Sequence, residues 1–434
     1  MAKGTPLTLR AYRLLTAALT PLSSLPLWFR GKRGKEHPER VGERRGEPSA
    51  ERPAGSLIWI HGASVGELFA AFPLIDRICS DGLPVLVTSG TVTSAALARE
   101  RLPANAIHQF VPLDMPRFVA RFIDHWRPNL ALFIESDLWP NLVAETAKAR
   151  IPMIVINGRL SERSFNRWRT LSRTAAALLR PFDLCLAQSA LDADRFSRLG
   201  ASNVQATGNL KLDVPAPPVN EDHLNLLKAA IRSRPVIAAA STHPGEEAVA
   251  IEAHRRLRRS VPDLLTIIAP RHPQRGRAVF EIADRAGLSC AARSQGQLPQ
   301  PQTQIYIFDT MGELGLLYRL ASIVFMGGSL VEHGGQNPIE AVKLGAPIVH
   351  GPNVWNFAEI YAALDAAHGA EEVEDMHRLT TQLGFWLSDG TVRRSVADAG
   401  LRTVNRLGGA LAHTLAALEP YLLQFRLEHR SNDA

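Results

Sequence analysis

Met326-Gly327-Gly328-Ser329-Leu330-Val331-Glu332-His333-Gly334-Gly335-Gln336-Asn337-Pro338-Ile339-Glu340-Ala341 joins an apolar run, Ile323–Met326, to a segment with helical periodicity. The run reads as a buried strand. The helix brings its own start signal: Asn337 suits the N-cap, Pro338 the first helical position, and Glu340 the capping-box carboxylate. Four glycines in front let the backbone approach a ligand closely. The first helical turn offers N–H groups and a positive dipole end to an anion, and the carboxylate can accept hydrogen bonds from a ribose. Taken alone, the pattern is equally that of a plain glycine-rich loop capping a helix.

The same strand–loop–helix grammar recurs on both sides. Before the stretch, strands at 235–240, 264–269 and 305–308 end in Ser241–Glu247, Pro270–Arg275 and Asp309–Leu314. After it comes a strand at 347–351. Nearer the amino end, strands at 57–60, 84–88, 130–134, 154–156 and 184–188 each lead into a polar loop. Residues 214–222 hold Pro215, Pro217 and Pro218 and read as an extended linker. The fold class is therefore α/β: two Rossmann-like domains facing across a cleft, at 56–213 and 223–425, with a polar tail at 426–434. A length of 434 residues is too great for one core and fits that division.

The net charge of +7 is unevenly placed: residues 1–55 hold eleven Lys/Arg against five Glu, which is +6 of it. A nucleic-acid binder spreads its basic residues over a folded domain, so no nucleic-acid partner is expected. Here the excess flanks the apolar segment 14–29, with Arg10 and Arg13 before it and Arg30, Lys32, Arg33 and Lys35 after it. That segment is shorter than the roughly 20 residues of a spanning helix and contains Pro21 and Pro26. The composition fits a membrane-surface or shallow anchor, with Trp28 and Phe29 at the interface and the cations against anionic lipid. Cys79, Cys185 and Cys290 are far apart and form no CxxC pair, which points to a reducing compartment.

Chemistry concentrates in the first domain. The loop His61-Gly62-Ala63-Ser64-Val65-Gly66-Glu67 places Glu67 at a helix start behind the first strand. Glu135, Arg159, Arg163 and Lys211 follow later strands, so all should gather on one edge of one sheet. Carboxylates and cations converging on one edge form an active-site pattern. Arg167 and Arg169 extend the cationic run. His61, His243, His272 and His333 lack metal-ligand spacing, and no metal or other cofactor is expected. GxGxxG is missing, which disfavours a nicotinamide oxidoreductase. A nucleotide-sugar epimerase of similar plan and a non-catalytic nucleotide-binding protein at the membrane surface are the rival readings.

Segments 61–67, 135–141, 157–164, 208–211, 241–247, 270–275, 309–314 and 327–340, in this order, resemble the bacterial 3-deoxy-D-manno-octulosonic acid (Kdo) transferases of lipid A biosynthesis. The resemblance implies a GT-B fold on the cytoplasmic side of the inner membrane. It implies a metal-independent, inverting transfer of Kdo from CMP-Kdo to a lipid A precursor. It also implies Glu67 as general base and Glu135 and Lys211 as transition-state residues. Its nucleotide contacts fall on Pro270, Arg271, Met311, Gly312, Glu313, Asn337, Pro338, Ile339 and Glu340. Ser64, Gly66, Arg159 and Arg163 are candidates for the acceptor. The sequence departs from the pattern at Ser136-Asp137, where a second long acidic residue is usual, at Gln336 in place of a common histidine, and at Gly62.

Overall fold

The computed structural model describes residues 4–136, 138–217 and 219–432, with side chains as far as residue 427. The chain divides into two compact units: Met1–Val214 with Gly408–Ala434, and Pro215–Leu407.

The first unit is built on seven parallel strands: β1 (Ile58–His61), β2 (Val85–Ser89), β3 (Ala106–Phe110), β4 (Leu130–Ile134), β5 (Met153–Gly158), β6 (Leu184–Ala187) and β7 (Val204–Ala206). Their order is β3-β2-β1-β4-β5-β6-β7. Both faces are covered, so β1 alternates between two cores: Leu57 and Trp59 join one cluster, Ile58 and Ile60 the other. A strand buried on both faces reads as an unbroken apolar run, which is why these strands are legible. The second unit repeats the plan with β8 (Val236–Thr242), β9 (Leu265–Pro270), β10 (Cys290–Ala292), β11 (Ile305–Ile307), β12 (Ile323–Met326), β13 (Ile348–His350) and β14 (Ala370–Glu372), ordered β10-β11-β9-β8-β12-β13-β14. The strand order reverses at β1/β4 and at β8/β12, and open α/β sheets bind ligands at such switch points.

Three boundaries differ from the sequence reading. The helix Ala410–Asn432 belongs to the first unit, not to a second domain ending at 425. Leu418 and Leu422 are fully buried in the first unit's core and Phe425 packs there as well. Asp213 receives that helix by accepting N–H bonds from Gly409 (2.7 Å) and Leu411 (2.5 Å). The expected polar tail from 426 is thus helix, and Arg426 pairs with Asp81 at 2.7 Å. The linker is shorter than 214–222, because the helix Glu221–Ile231 starts within it, capped by Asn220; Pro218 lies outside the described residues.

The first 55 residues are likewise no separate segment. Helix Leu7–Ala18 is fastened to the sheet's helical layer: Tyr12 donates to Asp114 (2.9 Å) and Arg13 pairs with Glu145 (2.5 Å). Helix Ser24–Lys32 follows after a turn. The charged stretch Pro38–Arg45, expected to be a link, is a 3₁₀ buttress whose Glu43 and Arg44 are buried. Leu14, Leu15, Leu22, Leu25, Trp28 and Phe29 remain exposed on the two helices and the turn between them. Among the described residues no helix is long and apolar enough to cross a membrane.

Candidate active site

His61 of β1 lies opposite Phe133 of β4, so the loops that follow these strands leave the sheet side by side at its switch point. The β1 loop turns into the helix Val65–Ser80, and Ser64 is its N-cap. Ser64 Oγ accepts from the Glu67 N–H (3.3 Å), while the Glu67 carboxylate accepts from the Ser64 hydroxyl (2.8 Å) and the Ala63 N–H (2.8 Å). This reciprocal cap holds a partly exposed carboxylate at the sheet's carboxyl edge. Gly66 is exposed, and a Cβ there would meet nothing within 4 Å, which leaves the approach to Glu67 clear.

Glu135, at the end of β4, has φ +61°, and Asn157, at the end of β5, has φ +53°. Asparagine tolerates the left-handed region; glutamate there is strained, a state that surrounding structure must enforce. The enforcement is visible. The Glu135 N–H donates to Ile156 O (2.9 Å), and its carboxylate pairs with Lys211 Nζ at 2.8 Å. Lys211 sits on the 3₁₀ turn Leu210–Leu212, whose Leu210 N–H donates to Asn157 Oδ1 (2.9 Å). Asn209 Oδ1 accepts from the Lys211 N–H (3.0 Å). The structure therefore joins two expected site residues directly and adds Asn157, a positioning residue that the sequence reading passed over. Arg159 is half-buried and Arg163 exposed, near the start of the helix Glu162–Thr170, where Arg167 and Arg169 are exposed as well. Asp137 lies outside the described residues.

In the second unit the glycine loop is held from below by a residue without an assigned role, Glu246. Its carboxylate is fully buried and accepts four backbone N–H bonds: His243 (2.9 Å) and Gly328 (2.7 Å) on Oε2, Ser329 and Leu330 (both 3.0 Å) on Oε1. The glycines have internal reasons. A Cβ on Gly327 would stand 2.6 Å from Ser241 O, and one on Gly335 3.1 Å from Val354 Cα. Gly327 and Gly335 thus let backbone segments touch one another, a reason for glycine beside the expected approach of a ligand. The helix start also shifts: Pro338 is the N-cap, and the helix Ile339–Lys343 has only five residues. Asn337 Oδ1 still accepts from the Ile339 N–H (3.1 Å), and burial raises the Glu340 carboxyl above its ordinary value.

Around this loop stand His243, His272 and His333. His243 stacks on His333 at 4.0 Å and its Nε2 accepts from the Gln336 amide at 3.2 Å; His272 lies edge-on at 6.3 Å. Burial and the neighbouring imidazoles and Arg271 hold His243 below the usual histidine value. Pro270 closes β9, and the Arg271 N–H donates to Thr242 O (2.9 Å). Met311 is exposed and Gly312 has φ +78°. Glu313 is gripped by both arms of Arg293 (2.7 and 3.1 Å) and by the Thr310 hydroxyl, and Arg293 keeps its carboxyl below the ordinary range. Arg293 follows β10, an edge strand with no clear sequence signal. Among the described residues, no group of three His, Cys, Asp or Glu is arranged to hold a metal ion.

Comparison with known proteins gives a consistent picture. Residues 39–214 match the family described as 3-Deoxy-D-manno-octulosonic-acid transferase (kdotransferase). A 3-deoxy-D-manno-octulosonic acid transferase of Rickettsia bellii is 34% identical over 92% of this chain and 96% of its own. The probable mitochondrial 3-deoxy-D-manno-octulosonic acid transferase of Arabidopsis thaliana is 38% identical over 83% of each chain. That of Haemophilus influenzae is 33% identical over 88% of this chain and 92% of its own. Two solved structures share the fold at TM-score 0.58: a putative UDP-N-acetylglucosamine 2-epimerase from Listeria monocytogenes (15% identical, 86% of this chain, 98% of its own) and a glycosyltransferase from Rickettsia africae (13%, 86% and 99%). These two likenesses establish a two-domain α/β, GT-B-like fold and no more, since epimerase and transferase score alike.

Proposed function

The chain belongs to the 3-deoxy-D-manno-octulosonic acid (Kdo) transferases and is a glycosyltransferase of lipopolysaccharide biosynthesis, and from that membership we propose that it moves Kdo from CMP-Kdo to a lipid A precursor with inversion at the anomeric carbon. The observation that carries the mechanism is that a capped, partly exposed Glu67 and Glu135 stand on adjoining loops of one switch point, with Lys211 reaching Glu135 from the turn after β7. Glu67 takes the proton of a sugar hydroxyl as its oxygen attacks the anomeric carbon. Positive charge grows on the Kdo ring as the bond to phosphate breaks, and Glu135 stabilises it. Lys211 and Arg271 answer the negative charge that grows on the departing CMP. Pro270, Met311–Glu313 and Asn337–Glu340 hold base and ribose. Arg159 and Arg163 suit the acceptor's phosphates. No metal ion or organic cofactor enters this scheme. The exposed apolar side of the two N-terminal helices, with Lys32, Arg33 and Lys35 behind it, would rest on the cytoplasmic face of the inner membrane.

The test incubates the purified protein with CMP-Kdo, generated in situ, and a tetraacyl lipid A precursor, and weighs the lipid. The expected result is a mass gain of one or more Kdo residues that Glu67→Ala abolishes while still binding CMP. Removing a general base lowers rate by roughly 10²–10⁴-fold. Near-normal turnover in that variant would remove Glu67 from the role. CMP binding without any transfer by the wild type would favour epimerase chemistry.

A further inference from the structure

A chamber of about 260 Å³ lies inside the first unit, below the second N-terminal helix and next to the loop of the proposed base. Its walls are Val111, Pro112, Leu113, Trp139 and Leu142. Ala63 and Gly90 also line it. Ala63 is the residue whose N–H donates to Glu67 (2.8 Å), and its carbonyl accepts from the Gly90 N–H (3.0 Å). The chamber thus borders the residue that hydrogen-bonds the carboxylate that would deprotonate an acceptor.

Charged groups also line it, but they are already engaged by the protein. Arg44 donates to Glu36 (3.0 Å), Val111 O (3.1 Å) and Gly90 O (2.6 Å). The other Glu36 oxygen accepts from Arg30 (2.6 Å). Asp114 accepts from the N–H groups of Asn141 (3.1 Å) and Leu142 (2.8 Å) and from the Tyr12 hydroxyl (2.9 Å). Asp114 has both oxygens taken and Arg44 three of its five N–H donors, so a sugar or phosphate entering here would surrender its hydration for few bonds. Water is poorly served for the same reason, since a buried water needs two to four polar partners. What the walls still offer an occupant is apolar contact. The helix that contributes Arg30 to the chamber exposes Leu25, Trp28 and Phe29 to the outside.

We propose that this chamber receives an acyl chain of the lipid acceptor, and that chain burial here sets the acceptor's sugar hydroxyl over Glu67. The proposal rests on the transferase reading above and extends it. Each buried methylene is worth about fourfold in affinity, so excluding two of them corresponds to about fifteenfold.

The test fills the chamber. Leu113 is half-buried in its wall, and Leu113→Trp takes up space without removing a polar contact. Kinetics are measured with CMP-Kdo and two acceptors, the tetraacyl precursor and an analogue with its acyl chains cut short. The expected result is a KM for the tetraacyl acceptor at least tenfold higher than in wild type. The KM for CMP-Kdo and the kcat/KM for the short-chain acceptor should stay within twofold. A tetraacyl KM within twofold of wild type, or an equal loss on both acceptors, would overturn the proposal. Val111→Phe, from another wall, replaces Leu113→Trp if the latter melts early. Wild-type protein that transfers Kdo to neither acceptor would instead overturn the transferase reading, and this inference with it.

Discussion

Glu246 and Glu247 are adjacent, chemically identical and both fully buried, yet the structure assigns them very different weights. Glu246 accepts four backbone N–H bonds that fold the 327–330 loop onto the end of β8. Glu247 meets Arg275 at 3.1 Å through Oε1, and its Oε2 has no partner among the described residues. Glu246→Gln turns one acceptor oxygen into an amide, so two N–H groups then face a donor. Each buried donor left unsatisfied costs about 1–3 kcal/mol, and the two remaining bonds lose roughly 1 kcal/mol each with the charge. The sum is about 4–8 kcal/mol, a large part of a domain's stability. For a unit of this size about 1 kcal/mol moves Tm by roughly 2–4 °C, so the second unit's Tm should fall by at least about 8 °C. Glu247→Gln can keep its bond to Arg275 through the remaining carbonyl oxygen and should lower Tm by less than about 4 °C. Differential scanning calorimetry on both variants decides the matter. A Glu246→Gln transition within about 2 °C of wild type, or equal losses in the two variants, would refute the assignment of the loop's geometry to that carboxylate.

Lys211→Met should lower kcat by about 10²–10³-fold and lower Tm as well, because removing one member of a pair with side chains only about one-fifth exposed strands the Glu135 carboxylate; the double variant Glu135→Gln/Lys211→Met should regain Tm but not kcat, and recovery of both would make the pair structural. Ending the chain at Leu407 should leave the first unit insoluble, since Leu418, Leu422 and Phe425 would vacate its core, whereas residues 215–407 alone should fold and show a cooperative melt. His108 is held neutral: Arg40 can only donate to its Nδ1 (3.1 Å), and burial next to Arg40 and Arg44 pushes it down to about 3. Below the unfolded value near 6.5, the unfolded chain takes up a proton that the folded chain refuses, so stability falls by about 1.4 kcal/mol per pH unit until the folded value is reached. Urea unfolding at pH 7 and pH 5 should therefore differ by about 2 kcal/mol more in wild type than in His108→Gln, and equal differences would refute the neutral assignment.

The ten strands read from the sequence are the inner strands of the two sheets, and the four it passed over, β3, β7, β10 and β14, are the four edges. An inner parallel strand is covered on both faces and selects apolar side chains without interruption. An edge strand such as Val204–Ala206 is half-exposed and tolerates glutamine. The loop residues with chemistry to offer were legible for a related reason, because the carboxyl end of an inner strand is where such a sheet can present them. The cap of Glu67 was not read, although Ser64 lies within one helical turn of it.

Partnerships across the chain were not legible. Glu135 and Lys211 are 76 residues apart, Asp213 and Gly409 are 196 apart, and Arg293 reaches Glu313 from a strand that gave no signal. Nothing local in residues 410–425 told which core would bury them. Short windows encode burial pattern and backbone preference, because those depend on near neighbours. Which carboxylate meets which cation, and which sheet a returning helix covers, depends on the path of the whole chain, and only the tertiary structure decided that.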